Sequence, residues 1–262
     1  MQTEKVAQYI TSWLKTYALN AKVNGFVIGI SGGIDSAVTS TLCAQTGLKV
    51  LCLEMPIHQA EAQVTRALNH ISWLQKHFPE VSMQKANLTP VFDSLVASLP
   101  EIENEETRLL SLANTRARLR MTTLYYFATA EKLLVAGTGN KVEDFGVGFF
   151  TKYGDGGVDI SPIADLLKTE VYELAAYLGI NQDIMDAAPT DGLWGDDRTD
   201  EDQIGATYPE LEWAMKMDQK GKTAPDFTGR QKEVFTLYKR LNTANKHKMI
   251  PIPMCEIPAN LK

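Results

Sequence analysis

Residues 26–36 read Phe-Val-Ile-Gly-Ile-Ser-Gly-Gly-Ile-Asp-Ser, an apolar run that leads directly into a glycine-rich turn. A short, continuous apolar run such as residues 26–30 is typical of a strand buried on both faces of a parallel sheet. The residues from Asp35 to Gln45 then predict a helix, which Gly47 ends. The stretch therefore predicts a strand, a tight turn and a helix, and its two adjacent glycines allow a ligand to approach the backbone.

The turn has the features of a phosphate-binding loop. Backbone N–H groups in the first turn of a helix lack intrahelical partners, and the helix dipole favours an anion there. Ser31 and Ser36 add hydroxyl donors, but no lysine follows the glycines, so this is not a Walker A loop and transfer of a γ-phosphoryl group is disfavoured. Asp35 would repel phosphates unless Mg²⁺ lay between them. The alternative, a purely structural turn, accounts less well for two serines, two glycines and an aspartate at this place.

Strands and helices alternate along the rest of the chain. This order predicts an α/β fold with a parallel sheet flanked by helices on both faces. Ligands bind beyond the carboxyl ends of the strands in such sheets, so the turns after Ile30, Met55 and Ala136 should border one crevice. We expect a single domain over residues 1–262. The predicted strands are 26–30, 49–55, 81–86 and 133–136, the predicted helices are 4–17, 35–45, 59–77, 107–132, 165–178 and 229–246, and residues 250–262 should be extended.

Composition excludes several classes of protein. The net charge is −6 and the pI about 5.3, which disfavours general binding of nucleic acid. Three cysteines without a CxxC spacing disfavour a zinc site and a disulfide framework. No run of about 18 apolar residues is present, so we expect no membrane span and a cytoplasmic protein. The segment 189–209, with six acidic residues and three glycines, predicts an irregular connection that is either disordered or a lid over an active site.

The loop at residues 31–36, Ser-Gly-Gly-Ile-Asp-Ser, resembles the pyrophosphatase loop of the N-type ATP pyrophosphatases. That resemblance implies an adenine nucleotide alpha hydrolase-like, Rossmann-like fold. It also implies cleavage of ATP between its α and β phosphates, with the loop holding the departing pyrophosphate. The residues that would bind ATP in the loop are Gly29, Ile30, Ser31, Gly32, Gly33, Ile34, Asp35 and Ser36.

Residues 148–159 read Gly-Phe-Phe-Thr-Lys-Tyr-Gly-Asp-Gly-Gly-Val-Asp. By its composition this block suits either a polar ligand pocket or a surface loop, but it closely resembles a block of ammonia-dependent NAD synthetase. Residues 137–143, Gly-Thr-Gly-Asn-Lys-Val-Glu, resemble the GT(D/N)xxE motif of that family, although the aspartate that often follows the threonine is missing here. Residues 114–121 resemble a third block, and the resemblance extends from about Gly25 to Pro253.

The resemblance implies an enzyme that uses ATP and Mg²⁺ to amidate deamido-NAD (nicotinic acid adenine dinucleotide) with free ammonia, by way of an adenylate. It implies a homodimer, for which the helix 107–132 is our candidate interface. Asp35 and Glu143 would hold the metal, and Asp35 and Lys168 would act in catalysis. Further contacts to ATP would come from Thr138, Lys168 and Thr190, and contacts to deamido-NAD from Arg118, Lys152, Asp159, His247 and Lys248.

Three other functions stay open from the residues alone. The amination domain of a GMP synthetase would share the loop at residues 31–36 but lack the block at residues 148–159. A tRNA-thiolating enzyme would call for a basic surface and reactive cysteines, which an acidic chain does not favour. A nucleotide-binding regulator without turnover would not need the pair of Asp35 and Glu143.

Overall fold

The computed structural model describes residues 1–190 and 199–262, and its strands form one parallel sheet. The strand order is β3-β2-β1-β4. The chain therefore proceeds outward from β1 through β2 to β3 and then returns to the other side of β1. This reversal places a topological switch point between β1 and β4, where ligands of such sheets bind. The strands are β1 (Gly25–Gly29), β2 (Lys49–Glu54), β3 (Val81–Lys85) and β4 (Leu133–Val135).

Helices cover both faces of the sheet, as the sequence predicts. The helices are α1 (Thr3–Asn20), α2 (Ile34–Gln45), α3 (Glu61–His77), α4 (Thr89–Ala97), α5 (Glu105–Glu131), α6 (Lys168–Leu178), α7 (Gln182–Met185), α8 (Asp200–Ile204), α9 (Tyr208–Gln219) and α10 (Gly229–Met249). A π-helix spans Val142–Val147, and short 3-10 helices span Ala224–Asp226 and Ala259–Leu261. No helix in this described part of the chain is both long and apolar enough to cross a membrane.

The continuous apolar run in β1 is explained by burial from two sides. Phe26 and Ile28 lie in a cluster with apolar residues of α1, α2, α3 and α6. Val27 lies in a second cluster, on the opposite face, with Ala128 of α5. Because successive side chains of a strand alternate between faces, a strand covered on both faces needs apolar residues at every position.

A third apolar cluster lies among the π-helix, α9 and α10. Val142 of the π-helix, Leu211 of α9 and Phe235 of α10 are buried in it. The π-helix follows soon after β4, so this cluster adjoins the carboxyl edge of the sheet. π-Helical turns are rare and are often found at functional sites.

Some of the predictions from the sequence are wrong. The helix predicted from residue 165 begins at Lys168, and the helix predicted from residue 59 begins at Glu61. The helices α4 and α9 were not predicted. The prediction of an irregular connection over 189–209 is wrong for its last part, because α8 and the start of α9 lie there. Residues 191–198 of this segment lie outside the described part of the chain.

Candidate active site

The loop between β1 and α2 has the geometry of an anion cradle. Gly32 has φ +82, and a Cβ atom at this residue would lie 2.6 Å from the carbonyl oxygen of Gln63, so a side chain would not fit. The Ser36 hydroxyl donates to the Gly33 carbonyl (2.9 Å), and the Gly33 N–H donates to Ser31 Oγ (3.2 Å). These bonds fix the backbone at the start of α2, where N–H groups and the helix dipole favour a phosphate.

The predicted crevice is present at the carboxyl edge of the sheet. A cavity there is lined by Ile30, Met55 and Ala136, which end or follow three neighbouring strands. The same cavity is lined by most of the predicted ATP-binding residues. They are Gly29, Ile30, Ser31, Gly33, Ile34, Asp35, Ser36, Thr138, Lys168 and Thr190; Gly32 of the same loop does not line it.

Three charged side chains from distant parts of the chain meet in this cavity. The ammonium of Lys168 lies 2.5 Å from Asp35 Oδ2 and 3.0 Å from Glu143 Oε1. Only 3% of the Lys168 side chain is exposed, against 17% for Asp35 and 15% for Glu143. Lys168 is the first residue of α6, where the helix dipole disfavours a positive charge. The bonds to Asp35 and Glu143 therefore stabilise the positive charge of Lys168 at this end of the helix.

These charges change the ionisation of the cluster. Burial acts to lower the pKa of Lys168, but the carboxylates of Asp35 and Glu143 outweigh burial and raise it. Burial raises the pKa of Asp35, and the ion pair with Lys168 opposes that rise. Lys168 is thus a fixed ammonium in the cavity.

The Asp35 and Glu143 carboxylates could hold a divalent cation. They converge on one point that already accommodates a positive charge, the ammonium of Lys168. Within residues 1–190 and 199–262, no group of three or more His, Cys, Asp or Glu residues could hold a metal by itself. Mg²⁺ commonly takes one or two carboxylates and completes its ligands with phosphate oxygens and water, so the donor set fits Mg²⁺ bound together with a nucleotide.

Two buried polar residues brace these carboxylates and were not predicted from the sequence. Asn140 is fully buried; its amide nitrogen donates to Asp35 Oδ1 (3.4 Å), and its amide oxygen accepts the N–H of Glu143 (3.2 Å). The Tyr208 hydroxyl donates to Glu143 Oε1 (2.6 Å). Asn140 lies in the recognised motif at residues 137–143, whereas Tyr208 belongs to α9, which the sequence analysis missed.

Asp144 is a further carboxyl group in the cavity. Burial raises its pKa to about 8, with additional contributions from the nearby Glu143, Asp155 and Asp35. A Cβ atom at Gly139 would lie 2.3 Å from both oxygens of Asp144. The glycine that departs from the usual motif therefore leaves room for this carboxyl group.

Four of the five residues predicted to bind deamido-NAD make hydrogen bonds around one loop. Arg118 donates to the Lys152 carbonyl (3.3 Å), and Lys152 donates to the His247 carbonyl (2.7 Å). Lys248 donates to the carbonyls of Gly148 (2.7 Å) and Phe150 (2.8 Å). These bonds link α5, the loop at residues 148–152 and the end of α10.

Asp159, the fifth predicted dinucleotide contact, has other hydrogen-bond partners. Its carboxylate accepts the Tyr125 hydroxyl (2.9 Å) and the N–H of Val135 (2.8 Å). Arg118, Lys152, Asp159, His247 and Lys248 are all absent from the described lining of the cavity. The structure therefore brings the predicted ATP and metal residues together and leaves the predicted dinucleotide residues outside that cavity.

Comparison with known proteins assigns the family. The family model described as NAD synthase matches residues 6–251. The chain belongs to the NAD synthase family. Among its curated relatives in this family, the NH(3)-dependent NAD(+) synthetase of Carboxydothermus hydrogenoformans is 36% identical over 259 residues, which cover 96% of this chain and 98% of that protein. The family expected from residues 31–36 and 148–159 is confirmed.

Two solved structures of similar proteins share the fold over nearly their whole length. The NMN synthetase from Francisella tularensis is 32% identical with a TM-score of 0.82, and the match covers 99% of both chains. The NH3-dependent NAD synthetase from Campylobacter jejuni is 25% identical with a TM-score of 0.78, and the match covers 98% of this chain and 100% of that chain. The NAD synthase fold therefore serves proteins named for two different products.

Proposed function

We propose that this member of the NAD synthase family is an ATP-dependent ligase that converts deamido-NAD and ammonia to NAD, releasing AMP and pyrophosphate. The observation that carries the proposal is the meeting of the anion cradle with the buried cluster of Asp35, Glu143 and Lys168 in one cavity. A carboxylate resists ammonia because oxide is a poor leaving group. Transfer of AMP to the carboxylate supplies a good one.

The first step is attack of the substrate carboxylate on the α-phosphorus of ATP, which forms an acyl adenylate and releases pyrophosphate. The N–H groups at the start of α2 and the hydroxyls of Ser31 and Ser36 hold the departing pyrophosphate. Lys168 contributes a fixed positive charge, and Thr138 and Thr190 line the same cavity. Mg²⁺, when bound by Asp35 and Glu143, supplies further charge neutralisation at the phosphates.

In the second step ammonia attacks the acyl carbon, and the carbon–oxygen bond to AMP breaks. No side chain need form a covalent bond with the substrate. The cavity must exclude water, which competes with ammonia for the adenylate. Free ammonia is the nitrogen source that we propose, and the whole chain, residues 1–262, acts as one domain in this scheme.

We propose that deamido-NAD reaches the cavity past Arg118, Lys152, Asp159, His247 and Lys248, in a homodimer. The burial of α5 supports its place in the dimer interface. Only Ala113, Ala117 and Ala128 of its 27 residues are buried, so much of its surface is available to a partner subunit. Large apolar side chains of α4 and α5 are exposed as well, among them Val91 (48%) and Leu110 (50%). The cytoplasmic location expected from the sequence stays a prediction.

The name of one similar solved structure raises an alternative to deamido-NAD as the substrate. The similar structure from Francisella tularensis is named an NMN synthetase and is 32% identical, against 25% for the NAD synthetase from Campylobacter jejuni. The second candidate function is therefore amidation of nicotinic acid mononucleotide to NMN. The adenylation chemistry would be unchanged, and only the binding of the second nucleotide would differ.

One assay tests the proposal and separates the two substrates. The purified protein is mixed with ATP, Mg²⁺ and ammonium, together with either deamido-NAD or nicotinic acid mononucleotide, and the amide product and AMP are both quantified. We expect NAD and AMP in equal amounts, with a higher kcat/KM for deamido-NAD than for the mononucleotide. A higher kcat/KM for the mononucleotide would favour the second candidate. AMP release with xanthylate (xanthosine monophosphate) but not with deamido-NAD would contradict both.

A further inference from the structure

Tyr208 is held in place by the local structure at the start of α9. Thr207 caps the helix: the Thr207 N–H donates to Glu210 Oε2 (2.9 Å), and the Glu210 N–H donates to Thr207 Oγ1 (3.4 Å). The Tyr208 N–H donates to Glu201 Oε1 (2.8 Å), and only 4% of the residue is exposed. The ring is therefore fixed in the third apolar cluster, with its hydroxyl bonded to the carboxylate of Glu143.

The hydroxyl of Tyr208 lies between two carboxylates. It is 2.6 Å from Glu143 Oε1 and 3.3 Å from Asp200 Oδ2, and the Lys168 ammonium lies 4.7 Å from the ring centroid. A phenol has one proton to donate, so the shorter contact identifies Glu143 as the main acceptor.

The two donors to Glu143 reach the same oxygen. Lys168 and Tyr208 both bond Oε1, and among residues 1–190 and 199–262 no donor reaches Oε2. Two bonds to one oxygen restrict the rotation of the carboxylate, and neither of these two bonds uses Oε2. Partners outside the metal ligands commonly orient them in this way, and their loss typically costs about 10- to 100-fold in metal affinity or activity.

We propose that Tyr208 is a positioning residue for the metal site: its hydroxyl holds the carboxylate of Glu143 in the orientation in which, together with Asp35, it would bind a divalent cation. This inference rests on the proposed function, because it takes Asp35 and Glu143 as the metal ligands. It adds a residue from α9 to a site otherwise built from α2, the π-helix and α6. The role of Tyr208 is orientation, since the proposal places it in contact with neither ATP nor the substrate.

The same apolar cluster contains a matched control. Tyr238 of α10 is 5% exposed, and its hydroxyl donates to a carboxylate, Asp218 Oδ2 (3.4 Å). Loss of this hydroxyl also removes a bond between a buried tyrosine and a carboxylate. If the role of Tyr208 were purely structural, Tyr208→Phe would leave the metal affinity of the folded protein unchanged, as we expect for Tyr238→Phe.

The test is direct measurement of Mn²⁺ binding by electron paramagnetic resonance, in the presence of α,β-methylene ATP, which cannot be cleaved between its α and β phosphates. We expect Tyr208→Phe to raise the Mn²⁺ dissociation constant about 10-fold and Tyr238→Phe to leave it within about 2-fold of wild type. In the amidation assay, the half-saturating Mg²⁺ concentration of Tyr208→Phe should rise by a similar factor, with a smaller fall in kcat at saturating Mg²⁺. Wild-type Mn²⁺ affinity in a folded Tyr208→Phe protein would overturn the proposal.

A second variant keeps the test informative if Tyr208→Phe does not fold. Replacement of Tyr208 by 4-aminophenylalanine keeps the aromatic ring and a neutral hydrogen-bond donor at the same position, so the Mn²⁺ dissociation constant should stay within about 2-fold of wild type. A 10-fold weakening in this folded variant would overturn the proposal, because a donor to Glu143 is still present. Since Mn²⁺ binding does not depend on which carboxylate is amidated, the inference and the proposed function can fail separately.

Discussion

The NAD synthase fold of this chain presents two groups of charged side chains that are organised in opposite ways. In the first, Lys168 bonds the carboxylates of Asp35 and Glu143, and all three side chains are largely buried. In the second, Lys152 and Lys248 bond backbone carbonyls and leave their positive charge without a carboxylate in these bonds. In the first group a cation bonds two anions. In the second, the cations bond backbone carbonyls and thereby connect the loop at residues 148–152 to α10.

The two groups therefore suit different ligands under the proposed function. We propose that the buried group is preorganised for phosphates and a metal, because its charges are already fixed in a place where water contributes little screening. For the second group, we propose that an anionic dinucleotide replaces one bond to a carbonyl with a stronger bond to phosphate. Substitutions in the first group should therefore affect chemistry, and substitutions in the second should affect substrate binding.

The largest effect is expected from Asp35→Ala. Removal of the carboxylate that the metal and Lys168 share should lower AMP formation about 1000-fold or more while the protein still folds. The control is Asp165→Ala, since Asp165 also pairs with a lysine (Lys141, 2.7 Å) but is 96% exposed. Full activity in Asp35→Ala would show that the metal and catalytic assignments are wrong.

Lys168→Met should act on both activity and stability. It leaves two buried carboxylates without their cation, so we expect the free energy of unfolding to fall by about 3–5 kcal/mol and kcat to fall about 100-fold. Lys141→Met, which breaks the exposed pair with Asp165, should cost less than about 1 kcal/mol. Equal losses in urea titrations of the two variants would remove the distinction between the buried and the exposed pair.

Asp144 makes the stability of the buried group depend on pH. Because its pKa is raised to about 8, the folded protein holds a proton that the unfolded chain has released between about pH 4 and pH 8, and stability must fall as pH rises through this window. Asp144→Asn should therefore lose less stability than wild type between pH 5 and pH 8, by about 2–4 kcal/mol, in unfolding titrations with EDTA present. The exposed control Asp165→Asn should follow wild type, and parallel curves for all three proteins would contradict the raised pKa.

Lys248→Met should have the smallest effect and a different kinetic signature. It removes two bonds to the loop carbonyls of Gly148 and Phe150, so the KM for deamido-NAD should rise about 10-fold, or about 1.4 kcal/mol, while the KM for ATP stays within about 2-fold. Steady-state kinetics of Lys246→Met, an exposed lysine on the same helix, provide the control. A fall in kcat with no change in KM would place Lys248 with the catalytic group instead.

Much of the fold could be predicted from the sequence because its signals are local. The apolar run of β1 and the glycine-rich loop after it define the sheet, the crevice and the phosphate cradle, and the structure has each where it was expected. The helix α9 was missed although it carries a local signal, the capping box of Thr207 and Glu210. That box lies at the end of an acidic, glycine-bearing segment, whose composition favoured a loop.

The contacts that complete the site could not be predicted in the same way. Tyr208 bonds Glu143, and Lys168 bonds Asp35, across long separations in sequence, and the packing of the third apolar cluster brings Tyr208 to the carboxylate of Glu143. Asp144 is another example, since its raised pKa depends on burial that no local pattern specifies. The family resemblance predicted which residues bind ligands. It did not predict the hydrogen bonds and ion pairs that these residues make with other parts of the chain.

Activation of the substrate carboxylate by transfer of AMP can be followed with an isotope label. Deamido-NAD labelled with ¹⁸O in both carboxylate oxygens is incubated with the protein, ATP, Mg²⁺ and ammonium, and the products are analysed by mass spectrometry. Because the oxygen that attacks the α-phosphorus leaves with it, each AMP should carry one ¹⁸O atom and the amide of NAD should retain the other. Unlabelled AMP, or label in inorganic phosphate together with formation of ADP, would contradict the account.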